Sequence, residues 1–242
     1  MPNYVMNWLK FAGSIDVELF KRKFFSKHIG GGEYFDFNKI KPTPESVRNA
    51  VSGGLQNEAI YVYKNCTCAD EVPQYILERI FPWAVNNDSL YGVMTPLLSE
   101  KSQNIIKSSK KFVGGETFSP DERYQILYDM GKVYETNTEK YGCPTWYEWC
   151  IANWGTKWCG FDVRFNTVAD VVNPELVFTT AWNPPIPIYE ELNKLGYRFT
   201  VKFADEAIGY NCGKIIAVDD SCVVSYLNDG SKEAIELGNE IW

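Results

Sequence analysis

Apolar and polar positions alternate from residue 4 to 11, with Val5, Leu9 and Phe11 on one side and Tyr4, Trp8 and Lys10 on the other, which predicts a half-buried strand. Asn7 is the polar exception on its apolar side. Gly13 ends the strand, Ser14 supplies an N-cap, and Val17, Phe20 and Phe24 fall at helical spacing within 15–27. Lys21, Arg22, Lys23 and Lys27 load the end of that helix with positive charge, where its dipole favours them, and His28 with Gly30, Gly31 and Gly32 closes it. A short extended piece at 34–40 and a Pro-Thr-Pro turn lead to a short helix at 45–51.

From 52 to 118 short helical patterns are broken by Pro73, Pro82, Gly92 and Pro96, with a polar loop at 86–89, so this part reads as an irregular helical insertion. A firmer helix runs from Pro120 to about residue 140, with Tyr124, Leu127, Met130 and Val133 on one face. Residues 142–160 carry four tryptophans and three cysteines; Thr145 and Glu148 have capping-box spacing, so the stretch starts as a helix. The helix stops at Asn153-Trp154-Gly155, and a strand follows with Cys159, Phe161, Val163 and Phe165 on one face and Trp158, Asp162 and Arg164 on the other.

A strand at 175–182, a helix capped by Asn183 and opened by Pro184-Pro185, and a strand over 197–203 complete the pattern. With residues 28–155 set aside, the order is strand, helix, strand, strand, helix, strand. The fold class is therefore α+β, a ferredoxin-like split β-α-β sandwich with a long helical insertion after the first helix and a C-terminal hairpin plus helix. The whole chain, 1–242, is read as one such domain with an insertion at 41–141 and an extension at 206–242, the latter holding a hairpin of 214–218 with 222–226 and a helix from 232.

A chain of 242 residues at 45% hydrophobic content buries a sizeable core, and its net charge of −7 disfavours nucleic acid as a partner unless a local basic face exists. Seven scattered cysteines suit reduced thiols, no leader is readable at the start, and no apolar run reaches membrane-spanning length. A cytoplasmic location without membrane attachment is the expectation.

Several segments resemble the YubB-type ferredoxin-like family of phage- and plasmid-encoded proteins, a family without an established biochemical activity. They are Pro2-Asn3, the run from Phe35 to Ile40, Tyr141 to Trp149, Asn153 to Trp158, Thr180 to Pro185, and the Asp205-Glu206 loop to Gly213. Cys159 departs from the small polar residue usual after Thr-Lys-Trp, and the middle segment matches poorly. The resemblance implies the ferredoxin-like fold and an accessory protein of a mobile element, and transfers no catalytic residue.

Candidate chemistry is sparse. His28 is the single histidine, and the cysteine spacings make no zinc pattern, so no metal and no cofactor is expected. Trp8, Lys10, Trp158, Arg164, Arg198 and Lys202 share the outward sheet face if the alternation holds, as in sheets that stack bases, although cover by the aromatic insertion is favoured. Trp154, Lys157 and Trp182 complete the binding candidates, with packing as the ordinary reading of the tryptophans. Asp162, Asp205 and Glu206 are the one carboxylate set that could serve as acid and base or hold a cation. The reading preferred is a non-enzymatic accessory protein that binds a host protein, most concretely an inhibitor of a host defence nuclease (anti-CRISPR or anti-restriction). The alternatives are a nucleotide or single-stranded nucleic-acid binder using the open sheet face, and an enzyme with a carboxylate site.

Overall fold

Strand β1 (Tyr4–Phe11) forms where the alternation places it, and it sits inside a six-stranded antiparallel sheet. The computed structural model describes residues 3–79, 94–109, 118–166, 172–219 and 221–242; the loop expected at 86–89 lies outside them. Two compact units divide the chain, Met1–Pro42 with Cys150–Trp242 and Thr43–Trp149.

In the first unit α1 (Val17–Phe24) is shorter than expected and is capped by Asp16, whose carboxylate accepts from Leu19 N, rather than by Ser14. Phe25 leaves the helix because its ring stacks on Phe35 at 5.4 Å, pairing β2 (Phe25–Lys27) with β3 (Glu33–Phe35). His28 therefore sits beyond a strand, its ring 4.6 Å from that of Tyr34, and does not cap a helix. Gly160 exchanges two backbone hydrogen bonds with Phe35; a Cβ there would lie 2.7 Å from the Phe178 ring, so only glycine permits the approach.

The core strands β1, β4 (Phe161–Asn166), β5 (Glu175–Ala181) and β6 (Phe199–Asp205) lie in the order β4-β5-β1-β6. In chain order that is second, third, first, fourth, so β5 splits the pair joined through α1, as a ferredoxin-like fold requires. β7 (Gly213–Val218) and β8 (Ser221–Tyr226) extend the sheet beyond β6. Phe20 and Phe24 of α1 cover the inner face, Phe20 meeting Phe11 edge-on at 5.2 Å.

The second unit is helical. Its α2 (Glu45–Arg48), α3 (Gln56–Asn65) and α4 (Glu100–Ser109) surround the long α5 (Pro120–Tyr141), which carries the full capping box Ser119/Glu122 and ends at Gly142 with φ 75°. α3 lies against α5 at Gly131, where a Cβ would fall 2.1 Å from the Ala59 carbonyl oxygen. Leu55, Val62, Met94, Ile126, Met130 and Tyr134 belong to its core.

α6 (Trp146–Trp154) begins just after Thr145, whose hydroxyl oxygen accepts from Tyr147 N at 3.3 Å and whose hydroxyl donates to Glu148. α7 (Ile186–Lys194) starts two residues later than expected, with Pro185 at the cap position and the Asn183 carbonyl accepting from the Thr180 hydroxyl. It lays Ile188, Tyr189 and Leu192 on the inner sheet face. The unpatterned Asn7 is explained there: it is fully buried, its amide donates to Thr180 Oγ1 at 3.0 Å, and its oxygen accepts from the Tyr189 hydroxyl at 2.9 Å. α8 (Lys232–Ile241), capped by Ser231, lies on the outer face and buries Ala234, Leu237 and Ile241 against Ala204, Met6 and Trp8. The cover foreseen for that face was the insertion; the element seen covering part of it within this unit is the C-terminal helix.

Candidate functional site: the outer sheet face and the sheet end

Register decides which candidates share the outer face. Arg164 pairs with Val177, Val177 with Trp8, Trp8 with Lys202 and Lys202 with Lys214, so Arg164, Trp8 and Lys202 stand in one cross-strand row, with Lys10 beside Glu175 in the next. Trp158 and Arg198 do not join them. Trp158 precedes β4 altogether, and the Arg198 guanidinium turns back to the carbonyl and side-chain oxygens of Asn193 at 2.8 and 2.9 Å.

Where Trp8, Lys10, Thr200, Lys202, Glu175 and Glu240 meet, a groove of 360 Å³ opens at the edge of α8. Its cations are matched: Lys10 pairs with Glu175 at 3.3 Å, and Lys202 pairs with Glu240 from α8. A base-stacking sheet needs unmatched cations beside exposed rings, and here each groove lysine carries its own carboxylate.

The expected single face of β4 is broken by a bulge. Between Phe161, opposite Thr179, and Arg164, opposite Val177, β4 holds one residue more than β5, and Asp162 adopts φ 50°. Phe161 is thereby turned to the outer face, edge-on to Tyr4 at 5.3 Å, while Phe165 stays among the inner aromatics, parallel to Phe11 at 6.4 Å.

The remaining aromatic candidates separate into buried and surface groups. Trp154 is 3% exposed; its indole N–H donates to the Lys41 carbonyl at 2.9 Å and its ring packs edge-on to Phe37, so it is part of the core and no ligand surface. Trp158 and Trp182 are half-buried, and the Lys157 ammonium lies 4.8 Å from one ring centre and 5.5 Å from the other. The fold sets this cluster in place from both sides. Thr156, buried, exchanges two hydrogen bonds with the Ala181 backbone at the end of β5, giving 2.7 Å to the carbonyl and 3.1 Å from the N–H. Trp182 ends β5 at φ 68°, its N–H donating to Asn3 O and its carbonyl accepting from the Asn211 side chain at 2.7 Å. Asn211 itself holds φ 40°. Two non-glycine residues in left-handed backbone at one corner are the kind of strain that the surrounding structure must enforce. Thr156 and Asn211 were not among the expected site residues, because neither disturbs the alternation; the Asn153 to Trp158 run pointed only to the neighbourhood.

The carboxylates do not form a site. Asp205 is buried and accepts from Ala207 N at 2.8 Å and Asn3 Nδ2 at 3.3 Å, closing an Asx turn. Glu206 accepts from Tyr4 N at 3.2 Å, and Asp162 is exposed at the β4 bulge, three strands from β6. Among the described residues no three His, Cys, Asp or Glu side chains come together. All seven cysteines are free, and burial pushes the Cys159 thiol up to about 12, helped by the nearby Asp36 carboxylate.

Residues 153–242 match a family model described as the ferredoxin-like domain in Api92-like protein. The match covers β4 to α8; the structure adds β1 and α1 from outside it. Among solved structures, the crystal structure of a protein api92 from Yersinia pseudotuberculosis is similar over 94% of this chain and 99% of that one, at 10% identity and a TM-score of 0.37. No curated protein matches the chain. No helix among the described residues is long and apolar enough to cross a membrane.

Proposed function

We propose that this chain is a non-enzymatic accessory protein of a phage or plasmid that binds a host protein in the host cytoplasm, as an inhibitor of a defence nuclease complex of the anti-CRISPR or anti-restriction kind. The reading takes the chain as one elaborated ferredoxin-like domain with an inserted helical part, as in the YubB-type proteins it resembles. One observation carries it. Lys157 held over Trp158 and Trp182 is a pre-ordered aromatic and cationic patch, with both indoles half-exposed and their backbones fixed from β5 and the β6–β7 loop. Tryptophan and fixed cations are the residues on which protein interfaces concentrate their energy, since an ordered anchor loses little entropy on binding.

The test is capture of a partner from host lysate by the tagged chain, together with a restriction or interference assay. Wild type retains a host nuclease component and restores plaque or transformant numbers; Lys157→Ala and Trp158→Ala each weaken retention by about tenfold or more, the range of a hot-spot truncation. No retained partner and unchanged defence would end this reading. The nucleic-acid alternative is tested in parallel: tryptophan fluorescence that responds to oligonucleotides at low salt, and ceases to at high salt, would replace it.

A further inference from the structure

The two edges of the sheet are built differently. The β4 edge carries the usual protections: the bulge at Asp162 and exposed Asp162, Arg164 and Asn166 along the strand. The β8 edge carries none. Its sequence Ser221-Cys222-Val223-Val224-Ser225-Tyr226 has no charge and no proline in a chain that is 23% charged, and among the described residues no strand pairs with its outer side. Beside it the outer face of β7 and β8 exposes Ile216 (46%), Val218 (47%) and Val223 (54%) as an apolar strip.

Leu227 N donates to Cys212 O, so the odd-numbered residues of β8 direct their backbone groups toward β7. By the two-residue alternation of an antiparallel ladder, Cys222, Val224 and Tyr226 direct theirs outward.

We propose that β8 pairs with β8 of a second copy of this chain, antiparallel about a two-fold axis at Val224, joining the two six-stranded sheets edge to edge. Three features select a second copy over a foreign strand. In this register Cys222 faces the second copy's Tyr226 and Val224 faces Val224, so the outward groups of each copy satisfy those of the other through about six hydrogen bonds. An axis normal to the sheet keeps like faces together, so the strips of Ile216, Val218 and Val223 from both copies become one apolar surface. The uncharged strand brings no like charges face to face, although each copy carries −7. That net charge gives the pairing a signature: added salt, by screening the repulsion between copies, strengthens it. The Lys157, Trp158 and Trp182 patch takes no part, and the two ideas fail separately.

The assay is light scattering on the full chain across concentration and salt. A mass of twice 27.7 kDa, with a dimer fraction rising from low to high salt, is expected. Val223→Lys substitutes an exposed position, leaves thermal unfolding unchanged after correction for the dimer, and weakens association at least about tenfold. Val224→Pro removes one outward N–H at a place where an edge strand tolerates proline, with the same result. In an antiparallel hydrogen-bonded pair the axis residues have Cα atoms about 5.5 Å apart, so Val224→Cys forms an inter-chain disulfide on mild oxidation. Ser221→Cys, which faces no copy of itself in this register, does not exceed the wild-type background. A wild type that stays at 27.7 kDa up to about 100 μM, a dimer indifferent to Val223→Lys, or no Val224→Cys cross-link above background overturns the proposal.

Discussion

Tyr189→Phe is the sharpest test of how the sheet is held. The hydroxyl lies at full burial and donates to Asn7 Oδ1, itself fully buried, at 2.9 Å. Deleting one oxygen leaves a buried amide acceptor without that donor and admits no water, so the cost is the desolvation of an orphaned group, about 1–3 kcal/mol. With a urea dependence of about 2 kcal/mol per M, the unfolding midpoint falls by about 1 M. Asn7→Leu costs a similar amount because it orphans the Tyr189 hydroxyl instead. The double variant removes both ends together, and Thr180 keeps its bond to the Asn183 carbonyl, so it recovers most of the loss. The pH dependence carries the same signature. Burial raises the Tyr189 phenol well above its ordinary value of 10.0, so the folded state holds its proton more tightly than the unfolded chain. Its contribution is complete below pH 10 and is lost as pH rises toward the folded value; Tyr189→Phe flattens that part of the profile. A Tyr189→Phe cost under about 0.5 kcal/mol, or a double variant as destabilised as the sum of the singles, would refute the network.

In the helical unit, Gly131→Ala gains a little helix propensity but drives a methyl into the Ala59 carbonyl, so a net loss of about 1–3 kcal/mol in urea unfolding is expected, against a slight gain if the α3–α5 approach were loose. Thiol titration of the folded protein near pH 8 labels exposed Cys68 quickly and half-buried Cys159 slowly, since burial holds the Cys159 thiol near 12 and leaves little thiolate; labelling of Cys159 as fast as that of Cys68, read by peptide mapping, would refute this. As pH climbs from the thiol's ordinary value of 9.0 toward 12, the folded state loses the corresponding stability, because the unfolded thiol ionises first.

The strand and helix pattern was legible because each element is half-buried, and half-burial writes its period into the sequence: β1, α5, β5 and the β7–β8 hairpin lie within a residue or two of where the alternation puts them. The site was less legible. Trp154 and Trp158 look alike in sequence, yet one is sealed against Phe37 and the other stands half-exposed over Lys157. Alternation assumes an unbroken ladder, and the bulge at Asp162 breaks it, turning Phe161 to the opposite face from Phe165. Arg198 was misplaced for a related reason: near a strand end, hydrogen bonds to Asn193 outweigh the period.

The sequence by itself determined the α+β class, the order of the ferredoxin-like strands and the polar exception at Asn7, all of which follow from local propensity and hydrophobic period. Only the tertiary structure decided what those exceptions do. Asn7 gains meaning from Tyr189, 182 positions away; Thr156 and Asn211 fix the Lys157, Trp158 and Trp182 cluster from distant parts of the chain; α8 and its Glu240 neutralise Lys202. Such pairings join segments far apart in sequence: the local pattern fixes which face a residue takes, and only the folded chain fixes which distant residue it meets there.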